Sequence, residues 1–180
     1  MLAPKGFEQT VSAKLFEQGH VTAARKRGIL RYTFPMILLG TALILYGLRA
    51  IQTAIASGQM LSMWLSGVGI LLTGVALIVL WTAVFPNRVK KTAVARYPMH
   101  EALYGRTAVT FTQDEMTLTG EKLTVRVAFA KTRLCVETGD LFVIFTDEEA
   151  VVLLDKAAFT APEETTAFLR DVFARWYKKG

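Results

Sequence analysis

Cys135 is the only cysteine in a chain of 180 residues, which excludes an internal disulfide framework and a cysteine-clustered zinc site. His20 and His100 stand far apart in sequence and offer no metal-ligand spacing. The serines, Ser12, Ser57, Ser62 and Ser66, lack the Gly-x-Ser-x-Gly setting of a nucleophile elbow. The acidic run Asp147-Glu148-Glu149 reads as a turn, because no further ligands follow it at the alternating positions a Mg²⁺ or Ca²⁺ loop requires. Cys135 falls in the middle of a predicted strand, where a lone cysteine acts as a small packing residue. His100 with Glu101 reads as a surface pair, and His20 as a solvated side chain. No catalytic, cofactor-binding or metal-ligating residues are assigned, and a non-enzymatic protein is expected.

One basic constellation remains. If strands over 122–128 and 133–138 pair through a turn at 129–132, residue 128 opposes 133 and residue 126 opposes 135. Lys122, Arg126 and Arg133 would then share the outward face and could meet anionic headgroups. The solvated sheet face is the plain alternative, and the local charge works against the contact.

The formal charge is +6. Residues 1–32 carry a net +4, and Arg88, Lys90, Lys91 and Arg96 add four more charges, whereas residues 97–180 carry −3. The positive excess therefore flanks two apolar segments, and the mildly acidic C-terminal region argues against nucleic acid as a partner.

Those segments are 33–56 and 61–85, the first holding only Arg49 as a charge and the second none. A helix needs about 20 apolar residues to cross the hydrocarbon core, and both qualify. The short link Ser57-Gly58-Gln59-Met60 makes them a hairpin. Basic clusters before the first span and after the second predict that both termini are cytoplasmic, in a multi-pass protein of the cell membrane. Trp64 and Trp81 stand near opposite ends of the second span, where indole rings favour the interface. Ala54-Ile55-Ala56 before Ser57 resembles a signal-peptide cleavage site, but the leading region is too long and Arg49 lies too close. Arg49 reads as a snorkelling side chain or a functional ion or substrate contact; neither span holds an acid to pair with it. Glycines recur seven apart, Gly40 and Gly47, then Gly67 and Gly74. Folding the hairpin about Gln59 sets Gly67 opposite Ile51, Gly74 opposite Ile44, Gly47 opposite Leu71 and Gly40 opposite Ile78. Each glycine would then form a notch for a branched side chain.

Around the hairpin the patterns are weaker. Residues 1–32 are read as a basic N-terminal segment. Within it, 10–27 carry a faint helical period with Thr10 as cap, and 5–11 can be a short strand. Residues 86–104 read as a juxtamembrane connector in which Pro98 interrupts any long helix.

From 105 to 180 a separate domain is expected. From residue 108 the apolar period becomes two, giving six short strands and an antiparallel sheet. Gly139-Asp140 has the type II′ hairpin form. The runs Leu141–Phe145 and Ala150–Leu154 read as central strands. Thr160-x-x-Glu163 forms a capping box with Pro162 in the first turn. Phe168, Leu169, Val172, Phe173 and Trp176 then make one helical stripe, read as a lid over the sheet, and Lys178 and Lys179 suit the end of its dipole.

A two-span hairpin followed by strands and one terminal amphipathic helix resembles the YcxB-like family of small bacterial membrane proteins. The resemblance rests on Val136-Glu137-Thr138, on Leu141-Phe142-Val143-Ile144-Phe145 and on Lys156-Ala157-Ala158-Phe159. The family pattern usually has Trp before the first strand and Pro-Lys before the helix; Phe129 and Asp155-Lys156 stand there in this chain. The resemblance implies a cytoplasmic pleckstrin-homology-like barrel, and it carries no catalytic residues over. The fold expected is thus a membrane α-helical hairpin plus an α+β, PH-like barrel or sheet capped by a helix.

The function expected is a binding or adaptor domain held at the inner leaflet. Its partners are the lipid bilayer and a protein partner or a homo-oligomer, with an open strand edge suited to strand addition. The alternatives are anionic-lipid binding through the basic face, or an accessory transporter or channel subunit. The last would need oligomerisation, and the spans lack a polar lining.

Overall fold

The computed structural model describes residues 4, 6–58, 62–147 and 150–179. It divides into two compact units, one of Ala24–Val89 and one of Met1–Ala23 with Lys90–Gly180.

In the first of these, α2 (Thr33–Ser57) and α3 (Ser62–Val79) form an antiparallel hairpin, and α3 ends in a π turn over Leu80–Val84. Two stretches, Ile29–Ser57 and Trp64–Tyr104, are long and apolar enough to cross a membrane. Their most apolar windows are only 11% and 6% buried, whereas the core helix of a water-soluble unit would be mostly covered. The seam between the helices is built on glycine. A Cβ on Gly40 would meet Ile78 and the Gly74 carbonyl, and one on Gly74 would meet Ile44 and the Gly40 carbonyl. A Cβ on Gly47 would meet Leu71 and the Gly67 carbonyl, and one on Gly67 would meet Ile51. These are the pairs expected from a fold about Gln59. Gln59 and Met60 lie outside the described residues, but Gly58 takes the left-handed conformation (φ 69°) that ends α2.

The other unit is α+β. Its N-terminal contribution is β1 (Phe7–Gln9) and α1 (Ala13–Lys26), the latter continuing past the unit boundary. Then come the second part of α4 (Phe85–Tyr104), β2 (Thr107–Phe111), β3 (Glu115–Thr119), β4 (Thr124–Ala128) and β5 (Thr132–Glu137). β6 (Leu141–Thr146), β7 (Val151–Asp155), α5 (Pro162–Val172) and β8 (Tyr177–Lys179) complete it. The strands make two four-stranded sheets, β1-β2-β3-β4 and β7-β6-β5-β8. All pairings are antiparallel except β5 with β8. No closed barrel forms among the described residues, so the barrel expectation is corrected to two open sheets.

The second sheet is the middle layer. One face, with Cys135, Phe142, Ile144, Val152 and Leu154, shares a core with Val109, Met116 and Leu118 of the first sheet and with Phe168, Leu169 and Phe173 around α5. The opposite face, with Val136, Val143, Phe145 and Leu153, is covered by Val11 and Phe16, and by Ala93 and Tyr104 from α4. All six residues of β6 are consequently buried, which explains an uninterrupted apolar run where a half-exposed strand would alternate.

Several expectations are corrected. Phe7 pairs with Val109 and Phe16 is fully buried, so the weak strand and helix patterns of the N-terminal segment, β1 and α1, are packed parts of the sheet unit. Leu15 N–H donates to Ser12 Oγ at 3.3 Å, so Ser12 rather than Thr10 serves the start of α1. The connector 86–104 is a helix that runs through Pro98. The carbonyl that Pro98 leaves unbonded belongs to exposed Val94, where water can satisfy it, while Ala93, Tyr97 and Tyr104 line the inward face. His20 is not simply solvated: it is half-buried, with its ring centroid 4.1 Å from that of Phe16. Burial pushes its imidazole below the ordinary value, assisted by the charges of His100 and Arg96. α5 starts at Pro162 with no side-chain cap, so the Thr160 box is not formed. Lys178 and Lys179 lie in β8 rather than at a helix end. Gly139 does not have the positive φ a type II′ turn needs; Thr138 closes the loop instead, its Oγ1 accepting from Leu141 N–H at 3.0 Å. Of the turn 147–149, Glu148 and Glu149 lie outside the described residues.

Candidate functional site

β4 is an edge strand. Phe129 N–H donates to the Asp114 carbonyl at 2.8 Å, and from there the alternation of an antiparallel ladder turns Val127 and Val125 toward β3. The main-chain groups of Thr124, Arg126 and Ala128 consequently face away, and among the described residues no strand pairs with that side. A cleft of about 270 Å³ borders it. Val125, Val127, Ala128, Ala150 and Val152 give the cleft its apolar lining; Glu115, Arg126 and Lys131 bring charge, and Thr146 a hydroxyl.

The other long edge is closed differently. Gln9, 2% exposed, donates through Nε2 to the Leu153 carbonyl at 3.0 Å and accepts from Asp155 N–H through Oε1 at 2.9 Å. One side-chain amide thus makes the donor and acceptor contacts that a neighbouring strand would make. Tyr104 Oη donates to the Val151 carbonyl at 2.9 Å, completing the cap on β7. On the far side of its sheet β5 is covered by β8, with Cys135 opposite Tyr177.

The basic trio is not assembled. β4 pairs with β3, placing Arg126 opposite Thr117, while β5 pairs with β6, placing Cys135 opposite Ile144. The physical reason is the short helical turn Phe129–Lys131, which buries Phe129 and carries the chain from one sheet to the other. Lys122 lines a separate hollow of about 320 Å³ with Glu101, Arg106 and Glu121. Arg126 borders the β4 cleft, and Arg133 is engaged by Asp147. The shared outward face is therefore a correction.

A buried polar cluster escaped the sequence reading. Glu137, only 5% exposed, accepts from Arg170 at 2.8 Å on both oxygens, from Lys156 Nζ at 2.9 Å, and from the Tyr177 hydroxyl. Hydrogen bonding to Arg170 is the largest of the influences that hold its carboxyl down at about 2, against the opposing effect of burial; Tyr177 and Lys156 add to it. The network ties the end of β5 to α5, to β8 and to the turn after β7. Glu137 has the same strand parity as core-facing Cys135, and an acid at an inward position was the available signal. Cys135 itself is fully buried, and burial pushes its thiol up to about 12. That is the reverse of what a nucleophile requires. No group of three or more His, Cys, Asp or Glu that could hold a metal occurs among the described residues.

No family model matches this chain, and neither the curated proteins nor the solved structures contain a match to it. The geometry holds an open strand edge beside an apolar-lined cleft.

Proposed function

We propose that this chain is a YcxB-like, multi-pass protein of the cell membrane, with both termini cytoplasmic. Its sheet unit is a PH-like, non-enzymatic adaptor that binds an extended segment of a partner protein by strand addition along β4. The observation that carries the reading is the unpaired outer side of β4 bordering an apolar-lined cleft. Main-chain bonding supplies affinity in such complexes and side-chain pockets supply selectivity. The capped edge of β7 supports the choice of β4, because Gln9 and Tyr104 already occupy the groups an incoming strand would need. The apolar, exposed helices of the hairpin and the basic residues on either side of it support the membrane placement. Lipid binding through Lys122, Arg126 and Arg133 loses its geometric basis, since the three do not share a face.

The test uses the full chain in its membrane, with a photo-crosslinking side chain at Thr124, on the β4 edge, or at Ala157, on the far part of the unit. The reading expects one defined protein adduct from position 124 and none from 157. Arg126→Pro removes an outward N–H without breaking the bond to β3. It should abolish that adduct and leave thermal unfolding within about 1 kcal/mol of the parent. An adduct that survives Arg126→Pro, or that forms equally from Ala157, refutes strand addition. Ion flux through the reconstituted chain would favour a channel subunit instead.

A further inference from the structure

Residues 24–89 contain six basic side chains, Arg25, Lys26, Arg27, Arg31, Arg49 and Arg88, and no acidic one. The antiparallel seam, with Gly40 against Ile78, brings the start of α2 and the far end of α3 together. Five of the six cations lie beyond that end, and all five are exposed. The opposite end, at Ser57 and Gly58, carries no charge. The Arg31 guanidinium lies 4.5 Å from the centre of the Tyr32 ring and donates to its hydroxyl, so it is held at the helix start. Immediately beyond it, Phe34, Leu38 and Leu45 follow one another along one face of α2 and are 70%, 55% and 63% exposed.

The geometry points to a binding surface for anionic phospholipid at this end of the hairpin. The phosphate would meet Arg31, Arg88 and the Arg25–Arg27 run, and an acyl chain would lie along Phe34, Leu38 and Leu45. A free phosphate matches only the first part of that surface, which is why a lipid is chosen over a soluble anion. Near-surface lysines and arginines attract anionic headgroups by additive increments that salt weakens. The inference rests on the proposed membrane placement of the hairpin. It is independent of the β4 edge.

The experiment titrates the full chain, purified in a neutral detergent, with dioctanoyl phosphatidylglycerol, with dioctanoyl phosphatidylcholine, or with inorganic phosphate. Retained molecules are counted by native mass spectrometry. Phosphatidylglycerol should be retained about tenfold more than phosphatidylcholine at low salt, and phosphate should not be retained. Replacing Arg25, Lys26, Arg27, Arg31 and Arg88 together by Gln should bring the two lipids to parity. Replacing Lys122, Arg126 and Arg133 by Gln should leave the preference intact. High salt should shrink the preference in the unmodified chain, a readout that needs no variant. Equal retention of both lipids by the native chain overturns the headgroup site while leaving the membrane placement standing. A preference that survives the five replacements, or phosphate retained as well as lipid, also overturns it. Retention of neither lipid overturns this inference and the membrane placement together.

Discussion

Replacing Glu137 by Gln should weaken the sheet unit at neutral pH and leave it nearly unchanged in acid. The carboxyl falls from its ordinary 4.5 to about 2 in the folded chain. Taken whole, that difference corresponds to at most about 3 kcal/mol of stability. Arg170 is half exposed and Lys156 about a quarter exposed, so solvent screens part of the attraction. The expected contribution is therefore about 2 kcal/mol. Its sign follows from the direction of the shift. A carboxyl held down by folding stabilises fully above about pH 5.5, and the stabilisation disappears as pH falls from 4.5 toward 2. Urea unfolding of the full chain in detergent, followed through Trp176 with Trp64 and Trp81 replaced by Phe, measures it. The parent and Glu137→Gln midpoints should differ by about 2 kcal/mol at pH 7 and converge near pH 2. A difference that is the same at both pH values, or below about 0.5 kcal/mol at pH 7, would refute the assignment of Glu137 as the charged centre of the network.

Gly74→Leu should lower the thermal midpoint of the hairpin in detergent, because even a Cβ there would sit 2.6 Å from the Gly40 carbonyl oxygen; a loss of about 1–3 kcal/mol is expected. Gly69→Leu is the control, since nothing lies within 4 Å of its added Cβ. Gln9→Leu should destabilise by about 2–4 kcal/mol, as it strands the Leu153 carbonyl and the Asp155 N–H; faster amide exchange at Asp155 reads this directly. Cys135, with its thiol raised to about 12, should resist alkylation at pH 8 in the folded chain and react at the rate of a free thiol in urea. Rapid labelling of the folded chain would contradict its place in the core.

Much of the architecture is local information. The two apolar segments, the glycine spacing that notches them, the six strands from 107 to 155 and the amphipathic stripe of α5 all follow from periodicity within short windows. Burial on both faces was also legible in Leu141–Phe145, since a strand without alternation must be covered twice. What periodicity cannot carry is which distant element supplies the cover. Phe7, Val11 and Phe16 carry only weak strand and helix patterns, and nothing in them shows that Phe7 pairs with Val109 or that Val11 and Phe16 cover Val143 and Leu153, about a hundred residues or more later in the chain. The three residues of β8 have too little pattern to register as a strand, and they form one because the open side of β5 and the acid of Glu137 receive them. The misplaced pairing of β4 with β5 has the same origin. Two adjacent strands usually form a hairpin, but the energy gained by burying Phe129 between two layers sends this chain across instead. The residue types thus determined the elements and their buried faces, because side-chain chemistry and backbone period act over a few residues. Only the packed structure decided which edges are capped, which stay open and where the charges meet, because those depend on contacts between segments far apart in the chain.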